Sequence, residues 1–242
     1  QRIADKGLLR ARASIGIFPA NSVGDDDIEI YTGESRSQVL ATFRHLRQQV
    51  HKNPGRPNRC LSDFIAPRNT GVKDHIGAFI VTAGLGIQEV VAVFEEDQDV
   101  YQSIMIKALA DRLVEGFAEK MHERVRKEFW GYANQEELSN QQLIHQEYRG
   151  IRPAPGYPAC PDHSLQLELF ELLAGRDFPV RLTESFAMEP AASICGFYFS
   201  HPESHYFGVG KIDRDQVEDY ARRKKVDQKT AEQWLSSLLG YE

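Results

Sequence analysis

The sequence predicts a mixed α/β domain, and three stretches carry that expectation. Residues 76–84 are apolar on both faces of an extended chain, the mark of a strand inside a sheet. Residues 100–130 repeat Ile106, Leu109, Leu113, Phe117, Met121, Val125 and Phe129 every three or four positions, the period of a long amphipathic helix. Residues 13–31 and 194–212 each hold two β-prone runs parted by turn residues, which reads as a hairpin. With 242 residues, 41% of them hydrophobic and 26% charged, the chain can bury a core as one domain over residues 1–242. A formal net charge of −6 argues against broad attraction to nucleic acid or an anionic membrane. No apolar run approaches the ~20 residues that span a bilayer. Cys60, Cys160 and Cys195 are odd in number and widely spaced, which speaks for a reducing, cytoplasmic setting rather than a disulfide framework. The chain opens on Gln1 with no signal peptide, so a fragment of a longer protein is expected.

In chain order, residues 1–12 are basic and helix-compatible. Residues 13–19 and 28–31 read as strands joined by an Asn/Gly/Asp turn, a hairpin that begins the sheet. The Asp25, Asp26 and Asp27 triplet in that turn lacks the spacing of a metal loop and reads as solvated. Residues 37–51 read as a helix with Val39, Leu40, Phe43, Leu46 and Val50 on one face. A Pro/Gly loop covers 53–58, a strand-like run 60–67, and the inner strand 76–84. Gly84-Leu-Gly86 fits neither a dinucleotide fingerprint nor a Walker loop and reads as a turn. Residues 89–99 read as an acidic helix, followed by the long helix. Asp111 and Glu115 sit on the latter's polar face, where small neighbours would leave room for Glu115 to line a cleft. Residues 134–148 form a polar helix-like stretch and 162–174 a helix of modest length. Residues 181–185, 194–199 and 206–212 read as strands, the last two as an antiparallel hairpin, and 213–223 and 227–239 as closing helices behind Asp213 and Asp227.

Between the helix-like stretch and the 162–174 helix lies a strap, residues 148–161, with Pro153, Pro155, Pro158 and Pro161. Pro fixes φ, removes a donor and pushes its predecessor to extended geometry, so neither a helix nor an inner strand survives this density. The expected result is a stiff extended segment whose carbonyls are not spent on a ladder. Arg152 offers a fork for a carboxylate and Tyr157 a ring for a flat heterocycle, while Gly156 permits close approach. A plain surface connector is the other reading of the same composition.

Other constellations are weaker. His163, His201 and His205 with Asp162, Glu203 and Cys160 suggest a metal site only on paper, because Pro202 parts the histidines and no Cys-x-x-Cys supports them. His122-Glu-Arg-Val-Arg126 has an arginine where a zinc-protease helix needs its second histidine. Cys160 between two prolines has no evident activation as a nucleophile. Tyr206 and Phe207 are adjacent, so on a strand one ring faces the core and the other a cleft. No metal ligand and no catalytic residue is expected.

Several runs together carry a resemblance. They are Ala108-Leu-Ala-Asp-Arg-Leu, Glu115-Gly-Phe-Ala-Glu, His122-Glu-Arg-Val-Arg, Gly150-Ile-Arg-Pro-Ala-Pro-Gly-Tyr-Pro, Leu182-Thr-Glu-Ser-Phe-Ala-Met, Tyr198-Phe-Ser-His-Pro and Asp215-Gln-Val-Glu-Asp-Tyr-Ala-Arg-Arg-Lys. In this order, and over nearly the whole chain, they resemble the C-terminal reactivation domain of cobalamin-dependent methionine synthase. The resemblance implies an α/β (α+β) domain on a twisted, largely antiparallel sheet flanked by helices, not a Rossmann methyltransferase fold. It implies S-adenosylmethionine binding with Arg152 on the ligand carboxylate, the backbone at Ala154 and Gly156 with Tyr157 on the adenosyl part, Glu115 near the ammonium or sulfonium charge, and Tyr206 and Phe207 as later contacts. The methyl group would reactivate oxidised cobalamin carried by the neighbouring domain of the same enzyme, with an electron from flavodoxin or a flavoprotein reductase; zinc belongs only elsewhere in the full enzyme. The family's domain begins before Gln1, so an acidic ligand contact there cannot be mapped. The link after Ala174 is shorter than usual, and Glu189 stands where a small or hydrophobic residue is familiar. A self-contained methyltransferase and a flavodoxin-docking interaction domain are the alternatives.

Overall fold

The computed structural model describes residues 7–175 and 177–241. It is a mixed α/β structure whose largest element is a largely antiparallel five-stranded sheet. The strands are β1 (Arg10–Val23), β2 (Asp27–Tyr31), β3 (Val39–Arg44), β4 (Asp74–Leu85) and, late in the chain, β7 (Ser193–Tyr198), in the order β3-β2-β1-β4-β7. Two short strands, β5 (Arg181–Leu182) and β6 (Met188–Glu189), pair antiparallel with each other. The helices are α1 (Ile87–Glu96), α2 (Val100–Arg124), α3 (Asn140–Ile144), α4 (Leu165–Leu173), α5 (Arg214–Lys224) and α6 (Gln228–Trp234).

By packing, the described chain divides into two compact units. The first takes residues up to Gly16, then Ala78–Glu136 and Leu169–Gly196; the second takes Ile17–Gly77, Glu137–Glu168 and the chain from Phe197.

In the first unit, β4 is buried along nearly its whole length, as its doubly apolar sequence requires. The turn expected at Gly84-Leu-Gly86 shrinks to Gly86, at φ +93°, because β4 runs on through Gly84 and Leu85; α1 follows at once and packs on α2. Asp99 caps α2 by accepting from the Gln102 N–H at 3.0 Å. The buried face of α2 differs from the expected stripe. It runs through Ser103, Ile106, Ala110, Val114, Ala118 and Met121, while Leu109 and Leu113 are exposed. Small residues let the helix approach its neighbours closely, so packing is set by Ala110 and Ala118 rather than by the largest apolar side chains. After Arg124 the helix widens into a π turn, Val125–Phe129. There the buried Arg126 makes a bidentate pair with Glu136, at 2.7 and 3.0 Å.

In the second unit a β1–β2 hairpin forms, but its strand outruns the expected bounds: Asn21 to Val23, expected in the turn, are paired along with Ala20 opposite Ile30 to Asp27, and the turn is residues 24–26. Pro19, which has no N–H to give, lies just before the paired stretch. Residues 10–12, expected in a helix, belong to β1; residues 1–6 of that expectation lie outside the described residues. The helix expected over 37–51 is instead β3 followed by irregular chain. β3 pairs with β2, placing Phe43 opposite Ile28 in the core, while Val39, Leu40 and Val50 are exposed. The strand expected over 60–67 is a 3-10 turn, Leu61–Phe64, because Asp63 folds back to accept from the Cys60 N–H at 3.0 Å. The expected hairpin of 194–199 with 206–212 is also absent: β7 forms, but residues 206–211 carry no strand. Their backbone goes elsewhere, with Val209 N–H donating to the Pro158 carbonyl and the Val209 carbonyl accepting from Gln49 N–H. The closing helices α5 and α6 bury Val217, Tyr220, Ala231 and Leu235 with Leu46, Val209 and Ile212.

Candidate functional site

The proline strap lies wholly in the second unit. From Ile151 to Pro155 its burial alternates: Ile151, Pro153 and Pro155 are buried, whereas Arg152 and Ala154 are half-buried and Gly156 is exposed. This is the period of two that an extended chain imposes. Arg152 and Ala154, two of the residues singled out from the sequence, therefore share one outward side, and Gly156 lies in the exposed turn that follows, where Tyr157 N–H donates to the Ala154 carbonyl at 3.3 Å.

One expectation about the strap is corrected. Its inner edge does spend carbonyls on a ladder: Ile151 exchanges backbone hydrogen bonds with Phe199 at 3.0 Å, and the Pro153 carbonyl accepts from Phe197 N–H at 2.9 Å. Proline loses only its donor, so a strap can pair through the acceptors that its alternate residues keep. The chain then turns sharply. Gly156 N–H donates to the Cys160 carbonyl and Cys160 N–H to the Tyr157 carbonyl, both at 2.8 Å.

Arg152 is held on two sides. Its Nη1 donates to the Tyr148 hydroxyl at 2.7 Å, and its backbone N–H donates to the Tyr206 hydroxyl at 3.0 Å. Tyr206 thus meets the strap through its hydroxyl, and Phe207 sits in an aromatic cluster with Phe64 and His205 at centroid distances of 6.3 and 6.4 Å. Tyr157 is 60% exposed and Tyr206 42%. Tyr148 was missed as a site residue; its place four residues before Arg152 was the only signal in the sequence.

Gly156 has φ +91°, and a Cβ there would lie 2.2 Å from His163 Cε1. The imidazole occupies the space that any other residue's side chain would need. His163 thus serves as a packing partner of the turn.

Behind the strap a buried polar network anchors its far end. Asp162 accepts from Ser164 N–H and Oγ at 2.7 Å and from the Tyr220 hydroxyl, with Lys224 Nζ 3.7 Å away. Burial, with the Asp162 carboxylate next in weight, pushes the Tyr220 phenol well above its ordinary range. Lys224 also pairs with Glu168, whose carboxyl burial raises, against the pull of that ammonium.

The remaining expectations resolve simply. Glu115 is exposed on α2, in the first unit, whereas the other six singled-out residues are in the second. Asp26 pairs with Arg47 at 2.9 Å and Asp27 with Arg223, so two of the triplet's three carboxylates hold guanidinium groups instead of standing solvated as expected. Among the described residues no group of three or more His, Cys, Asp or Glu is placed to hold a metal ion. All three cysteines are buried and stand outside any disulfide, and burial pushes Cys60 and Cys195 up to about 12. No helix among the described residues is long and apolar enough to cross a membrane.

Comparison with known proteins bears on this arrangement. The chain is similar to a crystal structure of the MetH reactivation domain bound to AdoHcy, at 53% identity and a TM-score of 0.96, over 100% of this chain and 74% of that one. Residues 1–225 match the model of the family described as the vitamin B12 dependent methionine synthase, activation domain. With nearly all its length inside that match, the chain belongs to the activation-domain family of vitamin B12 dependent methionine synthase.

Proposed function

We propose that this chain binds S-adenosylmethionine on the outward side of the strap and presents its methyl group to an oxidised cobalamin held by a neighbouring domain of the synthase. The observation that carries the reading is the shared outward side of Arg152 and Ala154, running into the exposed turn at Gly156 and Tyr157, with Tyr206 fixing the backbone at its start. The 53% identical reactivation domain with AdoHcy supports the ligand class. Arg152 offers a charged fork to the ligand's carboxylate. Ala154 and Gly156 leave backbone for the adenosyl part, and the exposed Tyr157 offers flat contact, with Tyr206 and Phe207 as further ring contacts. Glu115 is assigned to the ligand's positive charge from the resemblance alone. S-adenosylmethionine supplies an activated methyl group; the protein supplies orientation and electrostatics and no covalent step.

On this reading residues 1–242 are one domain of a longer cytoplasmic enzyme that makes methionine from homocysteine. The cobalamin-carrying domain is its partner, flavodoxin or a flavoprotein reductase brings the electron, and any zinc lies elsewhere in that enzyme. The isolated chain acts as a binding module.

Calorimetric titration with S-adenosylmethionine and AdoHcy tests the reading. Saturable binding is expected, and Arg152→Ala should weaken it by about 1.5–3 kcal/mol, the range for a hydrogen bond to a charged group. Glu115→Gln belongs in the same series, and an unchanged affinity removes Glu115 from the site. A folded chain that binds neither ligand would favour the flavodoxin-docking alternative. Methyl transfer to a small molecule without cobalamin would favour the self-contained methyltransferase.

A further inference from the structure

A second cleft in the same unit is unlike the strap in chemistry. It encloses about 590 Å³ and is lined by His51, Lys52, Asn53, Arg56, Arg59 and His205, with Gly55 and Pro57 completing the wall. No Asp or Glu lines it. On a chain of formal net charge −6, five nitrogen bases around one concavity reverse the local sign. The volume is that of a small-molecule site, but such sites are mostly apolar, and this wall is not. Its match is a compact polyanion.

The cleft is built rather than a chance gap in a loop. Gln48, 8% exposed, ties both ends of the 50–59 loop. Its side-chain carbonyl accepts from Lys52 Nζ and from Arg59 N–H (2.9 Å), and its amide donates to the Gly208 carbonyl at 2.9 Å. Lys52 also donates to the Pro57 carbonyl at 2.9 Å, closing the loop across its neck. On the opposite wall His205 is fixed by Nδ1 on the Glu203 carbonyl, 2.8 Å away, and by its edge against Phe64. The Arg56 and Arg59 guanidinium groups have no hydrogen bond or ion pair among the described residues, so both forks are open to a ligand.

We propose that this cleft binds the diphosphate group of a small phosphorylated molecule. Two planar forks match phosphate oxygens in pairs, and the Lys52 ammonium in the same lining adds a point charge. Two forks exceed what one carboxylate requires. The inference is independent of methyl-donor binding and survives if that reading fails.

The test is calorimetric titration of the full chain with inorganic pyrophosphate, ADP and adenosine at low ionic strength. Parent protein and the variants Arg56→Ala, Arg56→Ala/Arg59→Ala and Arg181→Ala are compared, the last removing an exposed charge from the first unit. Saturable one-site binding of pyrophosphate or ADP, none of adenosine, and at least a tenfold loss in the double variant are expected. Arg181→Ala should bind as the parent does, and AdoHcy titrations should be unaltered throughout. Pyrophosphate binding alone would place recognition in the diphosphate; tighter ADP binding would add the nucleoside. Arg59 ties the loop through its backbone, which the substitution leaves in place. Should the double variant still fail to fold, the exposed Arg56→Ala carries the test with a smaller expected loss of about threefold. No saturable binding to the parent, or equal losses in Arg181→Ala, would overturn the proposal. So would a result in which the double variant loses only association with an acidic protein.

Discussion

Gly156 and His163 bind each other's choices. The backbone at Gly156 adopts φ +91°, and the imidazole fills the space beside its Cα. Gly156→Ala therefore meets both strain and collision, and a loss of about 1–3 kcal/mol in stability is expected from denaturant unfolding. Removing the ring as well, in Gly156→Ala/His163→Ala, should recover the part due to collision but not the part due to φ. A single variant as stable as the parent would refute the account. His45 makes a second prediction at this scale. It is buried, its ring nitrogens have no hydrogen-bond partner among the described residues, and burial together with Lys224 and Arg223 lowers its pKa from 6.5 to about 3. Below pH 6.5 the unfolded chain gains a proton that the folded chain refuses, so stability must fall as pH drops from 6.5 towards 3. At pH 5 the loss from this one group is of order 2 kcal/mol. His45→Leu should flatten that part of the stability curve, and a parent-like slope in the variant would sink the assignment. Neither feature is visible in composition. The glycine could be flagged from its neighbouring prolines, but the ring beside it comes from seven residues further on.

The strap, the β1–β2 hairpin, the buried β4 and the closing helices were legible as elements because local chemistry alone decides them. Four prolines in fourteen residues exclude helix whatever surrounds them. Asp227 caps α6 by accepting from Thr230 N–H at 2.9 Å and Oγ1 at 2.7 Å. Asp227→Ala should cost about 1 kcal/mol, read from thermal unfolding, and Asp227→Ser should restore most of it. What local pattern could not decide was set by partners distant in sequence. Val39, Leu40, Phe43, Leu46 and Val50 recur at helical spacing, yet β2 offers Phe43 an opposite residue and a core, and β3 results. The strap's inner ladder depended on donors from Phe197 and Phe199, and the failed hairpin at 206–212 on acceptors at Pro158. In α2 the weight given to large apolar residues turned the expected face away from Ala110 and Ala118, which are the residues buried.

At the scale of the whole chain, function was legible through the order of many short runs, since the strap alone left connector and ligand site equally open. Six of the seven proposed contacts fall in the unit that holds the strap, and only Glu115 falls in the other. That distribution makes a thermodynamic prediction. A ligand that binds the folded state alone stabilises it by RT ln(1 + [L]/Kd), about 2.7 kcal/mol at a hundredfold excess over Kd. For a protein of 242 residues each kcal/mol moves the melting temperature by roughly 2–4 °C. Scanning calorimetry with AdoHcy at that excess should therefore show a rise of about 5–10 °C. The chain passes from one unit to the other inside β1, β4 and β7, so its hydrogen-bonded strands should melt together and the rise should appear in a single transition. Arg152→Ala at the same ligand concentration should lose most of the shift while its ligand-free melting temperature stays near the parent's, because the guanidinium is only half-buried. Two separate transitions, with one alone moving, would deny the shared cooperativity yet still place the ligand in one unit. A parent transition indifferent to AdoHcy would remove the strap as the binding site.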